Sequence, residues 1–209
     1  MRGIILIAGM PRSGSTWQFN ATRLLLEDAG ARHWAGWVDD FPEARSPLKL
    51  VKAHNPKDFD RGARVVLTTW RPFADCLGSL VRMGWLEPNE ERIRRAYHRQ
   101  REVYHHWAAR SDLETQFDLL RSEPAAAITD IQDLLVESIG YPHDTDRPAR
   151  IATLLDQIES PSEPIADDGT RETRVRSHDV TTLMHPGHVS SAPENSTNPD
   201  IERWIEDLI

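Results

Sequence analysis

The sequence has little lysine, almost no cysteine and no long apolar run. Cys76 stands alone, so an intrachain disulfide and a cysteine-based zinc site are both excluded. The first apolar stretch, Ile4–Ala8, is too short to span a bilayer and lacks the h-region and cleavage site of a signal peptide. The expectation is a soluble chain in a reducing, cytoplasmic setting. There is no internal repeat and no low-complexity tract. Basic residues are also in deficit, 25 against 33 acidic ones, for a formal net charge of −8. That balance argues against nucleic acid and against membrane surfaces, which both select a basic face. Among the basic residues only Lys49, Lys52 and Lys57 are lysines, the rest being arginines. Where a lysine does stand therefore carries information.

What remains is an ordinary globular composition: 209 residues, 39% of them hydrophobic, enough for one domain over 1–209 with a real core. Residues 3–9 read as a fully buried strand. A turn rich in Gly, Pro and Ser follows, and then a helix over about 16–28. Residues 48–53 read as a second strand and 64–70 as a third, after which Pro72 opens a helix. A long polar helix over 89–110 leads to a fourth strand, 113–117, and an amphipathic helix over 123–139 ends at Gly140. Helix is weakly indicated at 150–159, residues 160–180 read as a polar loop, and Asn198-Pro199-Asp200 starts a last helix. Strands alternating with helices predict an α/β fold, a central parallel sheet flanked by helices.

The strongest signal is the turn Gly9-Met10-Pro11-Arg12-Ser13-Gly14-Ser15-Thr16 between the first strand and its helix. A helix N-terminus presents unpaired N–H groups and partial positive charge, so a glycine-rich turn there cradles anions. Gly9 and Gly14 have the spacing of the nucleotide-binding pattern GxxxxGK[ST], yet Ser15 occupies the lysine position. The ammonium that reaches the β- and γ-phosphates of a nucleoside triphosphate is thus missing. Arg12 supplies the charge instead. The loop is P-loop-like, built for a phosphate-like group other than magnesium-bound ATP.

Pro11-Arg12-Ser13-Gly14-Ser15-Thr16-Trp17 closely resembles the 5′-phosphosulfate loop of sulfotransferases that use 3′-phosphoadenosine 5′-phosphosulfate (PAPS). The resemblance implies that Arg12, Ser13, Gly14, Ser15 and Thr16 hold the phosphosulfate and that Trp17 packs on the adenine. Arg71, at the end of the third strand, and Ser79, about two helical turns into the next helix, can converge on one anion. They resemble the family's 3′-phosphate motif. Lys52-Ala53-His54 is similar to its KTH segment, and residues two apart in a strand address one side. Attack by an acceptor hydroxyl needs a general base, a role suited to histidine, and the leaving phosphate needs a fixed cation. The resemblance casts His54 as base, with Lys52 and Arg12 stabilising the transferring group. Phe117, in the segment Thr115–Pro124, stands where the family often places an aromatic against the base. His185 or His188 stands where some bacterial members close a histidine-bearing segment over the cofactor, His188 being the assignment made here.

The expected function is therefore sulfuryl transfer from PAPS to a hydroxyl or amine of a small-molecule acceptor, leaving adenosine 3′,5′-bisphosphate (PAP). No metal is required. The three histidines of the long helix, His98, His105 and His106, lack the carboxylates that would complete a metal set. The alternatives are a P-loop small-molecule kinase or nucleoside triphosphatase, and a non-catalytic module that binds PAP or PAPS without turnover. Acceptor contacts are expected from residues 31–47, 83–100 and 160–180, with the lid within 141–198 and Trp34, Trp37 and Trp85 as candidate pocket walls.

Overall fold

The computed structural model describes residues 1–41, 47–56, 59, 62–158, 179, 181–184 and 199–209. Five strands, β1 (Gly3–Gly9), β2 (His33–Trp37), β3 (Leu48–Lys52), β4 (Val65–Trp70) and β5 (Leu113–Gln116), form one sheet in the order β2-β3-β1-β4-β5. Every pairing is parallel. The helices among the described residues are α1 (Ser15–Asp28), α2 (Phe73–Arg82), α3 (Glu90–Ala108), α4 (Phe117–Ser122), α5 (Pro124–Ile139), α6 (Arg147–Asp156) and α7 (Pro199–Ile205).

A central parallel strand is covered on both faces, which is why β1 is apolar without alternation. Ile5 and Ile7 point into one core layer with Phe19 and Leu25 of α1 and Ile128, Ile131 and Leu135 of α5. Leu6 and Ala8 point into the other, with Val51, Val66 and Trp107 of α3. A third cluster joins Leu77, Ile93 and Tyr97 to Ile201 and Ile205 of α7. On the first face α6 is tied to α1 by Arg147, whose Nε donates to Asp28 Oδ2 at 2.6 Å.

The strand order fixes where a ligand can sit. From β1 the chain moves to one side of the sheet for β2 and β3, then to the other for β4 and β5. The connections leaving β1 thus diverge, and the crevice beyond the carboxyl ends of β3, β1 and β4 is the ligand-binding position of such sheets. Register brings Lys52 beside Ile7 and Thr69 beside Gly9 at that edge.

Two elements differ from the sequence reading. His33–Trp37, within the segment 31–47 expected to be an acceptor loop, is an edge strand paired with β3. It has no β-branched residue, and its glycine is retained because the Trp34 ring folds over it: a Cβ on Gly36 would lie 2.7 Å from Trp34 Cζ2. The sequence places Phe117 at the end of the fourth strand, whereas it begins α4, because the chain must turn at the sheet edge toward α5. The long polar helix expected over 89–110 is α3, which begins at Glu90, where Asn89 Oδ1 accepts from the Arg92 N–H.

Candidate functional site

The loop after β1 is locked from beneath. Ser13 is fully buried, and its hydroxyl donates to the Met10 carbonyl at 2.7 Å. With its one proton spent there, Ser13 Oγ accepts from Thr69 Oγ1 at 2.7 Å, which fastens the loop to the end of β4. Arg12 has φ 71°, an uncommon left-handed conformation for a residue with a side chain. Gly14, also left-handed at φ 106°, is the N-cap of α1 and supplies no capping side chain. Alternations of this kind turn successive N–H groups toward one point, an anion nest. The first intrahelical bond is Gln18 N to Gly14 O, so the N–H groups of the first turn have no partner within the helix. A Cβ on Gly14 would lie 2.8 Å from Leu120 and 2.9 Å from Phe117, so the loop fits beneath α4 only as glycine.

Lys52 closes the cradle from the β3 side. Only 3% exposed, it donates from Nζ to Thr16 Oγ1. Burial pushes its ammonium down to about 7, and the nearby Arg12 guanidinium adds to the shift. No carboxylate pairs with it among the described residues. The Lys52 Nζ also lies 5.8 Å from the centre of the Trp37 ring. His54, just beyond β3, meets the same Trp37 edge-on at 5.2 Å, and its Nδ1 is 2.8 Å from the Gly9 carbonyl oxygen.

On the β4 side Arg71 is 5% exposed, with its guanidinium 4.1 Å from the centre of the Phe117 ring. Its Nε is 3.9 Å from Asp75 Oδ2, close enough for an ion pair but too long for a hydrogen bond. Burial raises the Asp75 carboxyl, against the opposing pull of Arg71. A buried arginine nitrogen without a hydrogen-bond partner is rare in a finished interior, and an incoming anion would satisfy it. Ser79 accepts a hydrogen bond from Arg12 Nε at 2.9 Å, and the same guanidinium lies 5.7 Å from the Trp85 ring.

No family model matches the chain, and no curated protein matches its sequence. Its three-dimensional form does have a counterpart. The solved structure of retinol dehydratase in a complex with retinol and PAP superposes with a TM-score of 0.60, over 99% of this chain and 81% of that one. Identity is 14%. The chain shares the fold of that protein, a parallel sheet flanked by helices.

Within this fold the residues singled out in the sequence come together from four places in the chain. Arg12, Ser13, Gly14, Ser15 and Thr16 form the loop, Lys52 and His54 flank it on one side, and Arg71 and Phe117 on the other. Ser79 reaches the loop through Arg12 rather than through Arg71. Trp17 is half-buried against the α1 core layer. His185 and His188 lie outside the described residues, as does the loop 160–178.

Several participants carried no recognisable signal in the sequence. Thr69 is an unremarkable strand residue until it holds Ser13. Gln18 Nε2 donates to the Thr68 carbonyl and to Thr115 Oγ1, which ties α1 to the ends of β4 and β5. Asn20 donates to the Thr182 carbonyl at 2.8 Å and so docks the segment 181–184 against α1. Trp107 donates its indole N–H to the His54 carbonyl at 2.8 Å, across 53 residues of sequence. Among the described residues no group of three or more His, Cys, Asp or Glu could hold a metal, and no helix is long and apolar enough to cross a membrane.

Proposed function

We propose that the chain is a sulfotransferase that takes a sulfuryl group from PAPS and passes it to a hydroxyl or amine of a small-molecule acceptor. The observation that carries the reading is the buried, carboxylate-free Lys52 bonded to Thr16 at an uncapped helix start. Such an arrangement is complementary to a phosphate- or sulfate-like anion, and a phosphosulfate is one. PAPS supplies an activated sulfuryl group whose departure leaves PAP. The residues present fit it: the N–H groups of the Gly14–Trp17 turn, with Lys52 and Arg12, would hold the 5′ end, and the unsatisfied Arg71 the 3′-phosphate.

His54 serves as the base. Because the Gly9 carbonyl can only accept, a hydrogen bond to it puts the proton on Nδ1, and Nε2 is then the basic nitrogen of the neutral ring. Lys52 and Arg12 would hold the phosphosulfate end of PAPS and would offset the negative charge of the departing phosphate. Trp37, against both Lys52 and His54, forms one wall of the acceptor side. A kinase or triphosphatase is disfavoured by Ser15 at the lysine position and by Thr69-Trp70 where an acidic magnesium ligand would stand.

The test is a calorimetric titration without magnesium, paired with transfer of radiolabelled sulfate from PAPS across an acceptor panel. PAP is expected to bind and ATP not to bind. His54→Ala is expected to lower transfer by roughly 10²-fold or more with PAP affinity intact. ATP binding in preference to PAP would return the kinase reading. PAP binding with no transfer to any acceptor would make the chain a binding module.

A further inference from the structure

We propose that Trp107, remote from the reacting atoms, is a positioning residue for the base His54. The inference rests on His54 being that base. The hydrogen-bond ladder between β3 and β1 ends with the Ala53 N–H donating to the Ile7 carbonyl at 3.0 Å. The next carbonyl on that side of β1 belongs to Gly9, and a continuing ladder would fill it with a backbone N–H. Here the His54 ring fills it, Nδ1 to oxygen at 2.8 Å. The ring is therefore oriented as a substitute rung of the sheet, and that rung fixes its tautomer.

A side chain used this way holds its direction only while its own backbone is fixed. His54 lies past the last residue of β3, where the ladder no longer restrains its peptide group. One restraint there comes from α3. The Trp107 indole N–H donates to the His54 carbonyl at 2.8 Å, and packing holds the indole in turn. It is 2% exposed and packed with Leu6, Ala8, Val51, Ala53, Phe59 and Val66. The imidazole is thus held by Gly9 at the ring and by Trp107 at the backbone, with Trp37 edge-on at 5.2 Å. A buried indole needs a partner somewhere. Its partner here is the carbonyl of the one residue whose ring must point in a defined direction.

Two replacements separate this role from packing. Trp107→Phe keeps an aromatic but loses volume. Placing 3-benzothienylalanine at position 107 by codon suppression keeps the bicyclic shape and removes only the donor. Nitrogen-15 NMR of the histidine-labelled protein needs no acceptor. In the wild type the neutral His54 ring should be the Nδ1–H tautomer, the minority form of free histidine. In both variants it should shift toward the Nε2–H form. PAP affinity by calorimetry should stay within about twofold, while kcat falls about tenfold or more, the usual cost of a misplaced catalytic group.

A wild-type His54 in the Nε2–H form would overturn the proposal, whatever the activity. An unchanged tautomer with unchanged kcat in the benzothienyl variant would reduce Trp107 to a core residue. Failure of the underlying reading looks different: His54→Ala would retain transfer while the tautomer and its response to Trp107 stayed as expected.

Discussion

Lys52 offers the sharpest quantitative test because its environment in the ligand-free protein is unfavourable to its own charge. It is buried, its only hydrogen bond is to a neutral hydroxyl, and Arg12 repels it. Burial first, and Arg12 second, push the ammonium down to about 7 in the folded chain, against an ordinary 10.5. Between those two values the unfolded chain binds more protons than the folded one, so this group makes stability rise with pH across that window. At pH 7 the deficit is on the order of 4 kcal/mol relative to a neutral side chain, and by pH 9 it shrinks to about 2 kcal/mol.

Lys52→Met removes the titration and keeps the length of the stem. It also leaves the Thr16 hydroxyl buried without its donor, at a cost of about 1–3 kcal/mol that does not vary with pH. Urea unfolding of both proteins, without ligand, at pH 7 and pH 9 should therefore show the advantage of the variant falling by on the order of 2 kcal/mol over the interval. Saturating PAP should flatten the wild-type dependence, because an anion beside Lys52 restores its charge. The reasoning fails if the stability difference between the two proteins is the same at both pH values. Lys52 would then be hydrated and ordinary, and the argument for a waiting anion site would go with it.

Arg71→Ala should weaken PAP binding by about 10–100-fold while leaving adenosine 5′-monophosphate nearly unaffected, since charged hydrogen bonds contribute about 1.5–3 kcal/mol each. Paired calorimetric titrations with the two nucleotides check this, and an equal loss for both would move Arg71 away from the 3′-phosphate. Gly14→Ala should cost about 1–3 kcal/mol in chemical denaturation. Its Cβ would meet Leu120 and Phe117 at under 3 Å, in a backbone conformation that side chains avoid. PAP binding should fall with it, because the turn that aims the N–H groups cannot keep its shape.

The sequence was legible where one residue type has one physical use. Ile4–Ala8 reads as a strand covered on both faces because it is short, rich in Ile and apolar without alternation, and the turn after it combines the glycines, hydroxyls and arginine that suit an anion. Lys52 and His54 could be read because the period of a strand is short and their chemistry is specific. Illegible were contacts that depend on which strands become neighbours. Ser13 meets Thr69 because β4, not β3, lies on that side of β1. Arg12 meets Ser79 because α2 returns over the loop, and no spacing within 12–16 or 71–79 encodes that. The edge strand His33–Trp37 was hidden because among the described residues it pairs with β3 alone and its side chains are mostly half-buried, so neither alternation nor a β-branched run was needed.

Net charge and site charge are set on different length scales. With 33 acidic residues against 25 basic ones, the molecule as a whole repels anions at long range. Beyond a Debye length of about 8 Å that repulsion is screened at physiological ionic strength. Within the crevice the balance inverts. Lys52 has no carboxylate beside it among the described residues, Arg71 holds its nearest one only at 3.9 Å, and a helix start adds its partial positive charge. Leaving such groups unsatisfied costs stability in the empty protein, and an anionic ligand recovers that cost on binding. A small polyanion that fits inside the crevice gains from the local arrangement, whereas an extended one must also lie along the acidic exterior. The selectivity expected of this protein, for PAP and against polymers of the same chemistry, follows from that difference in scale.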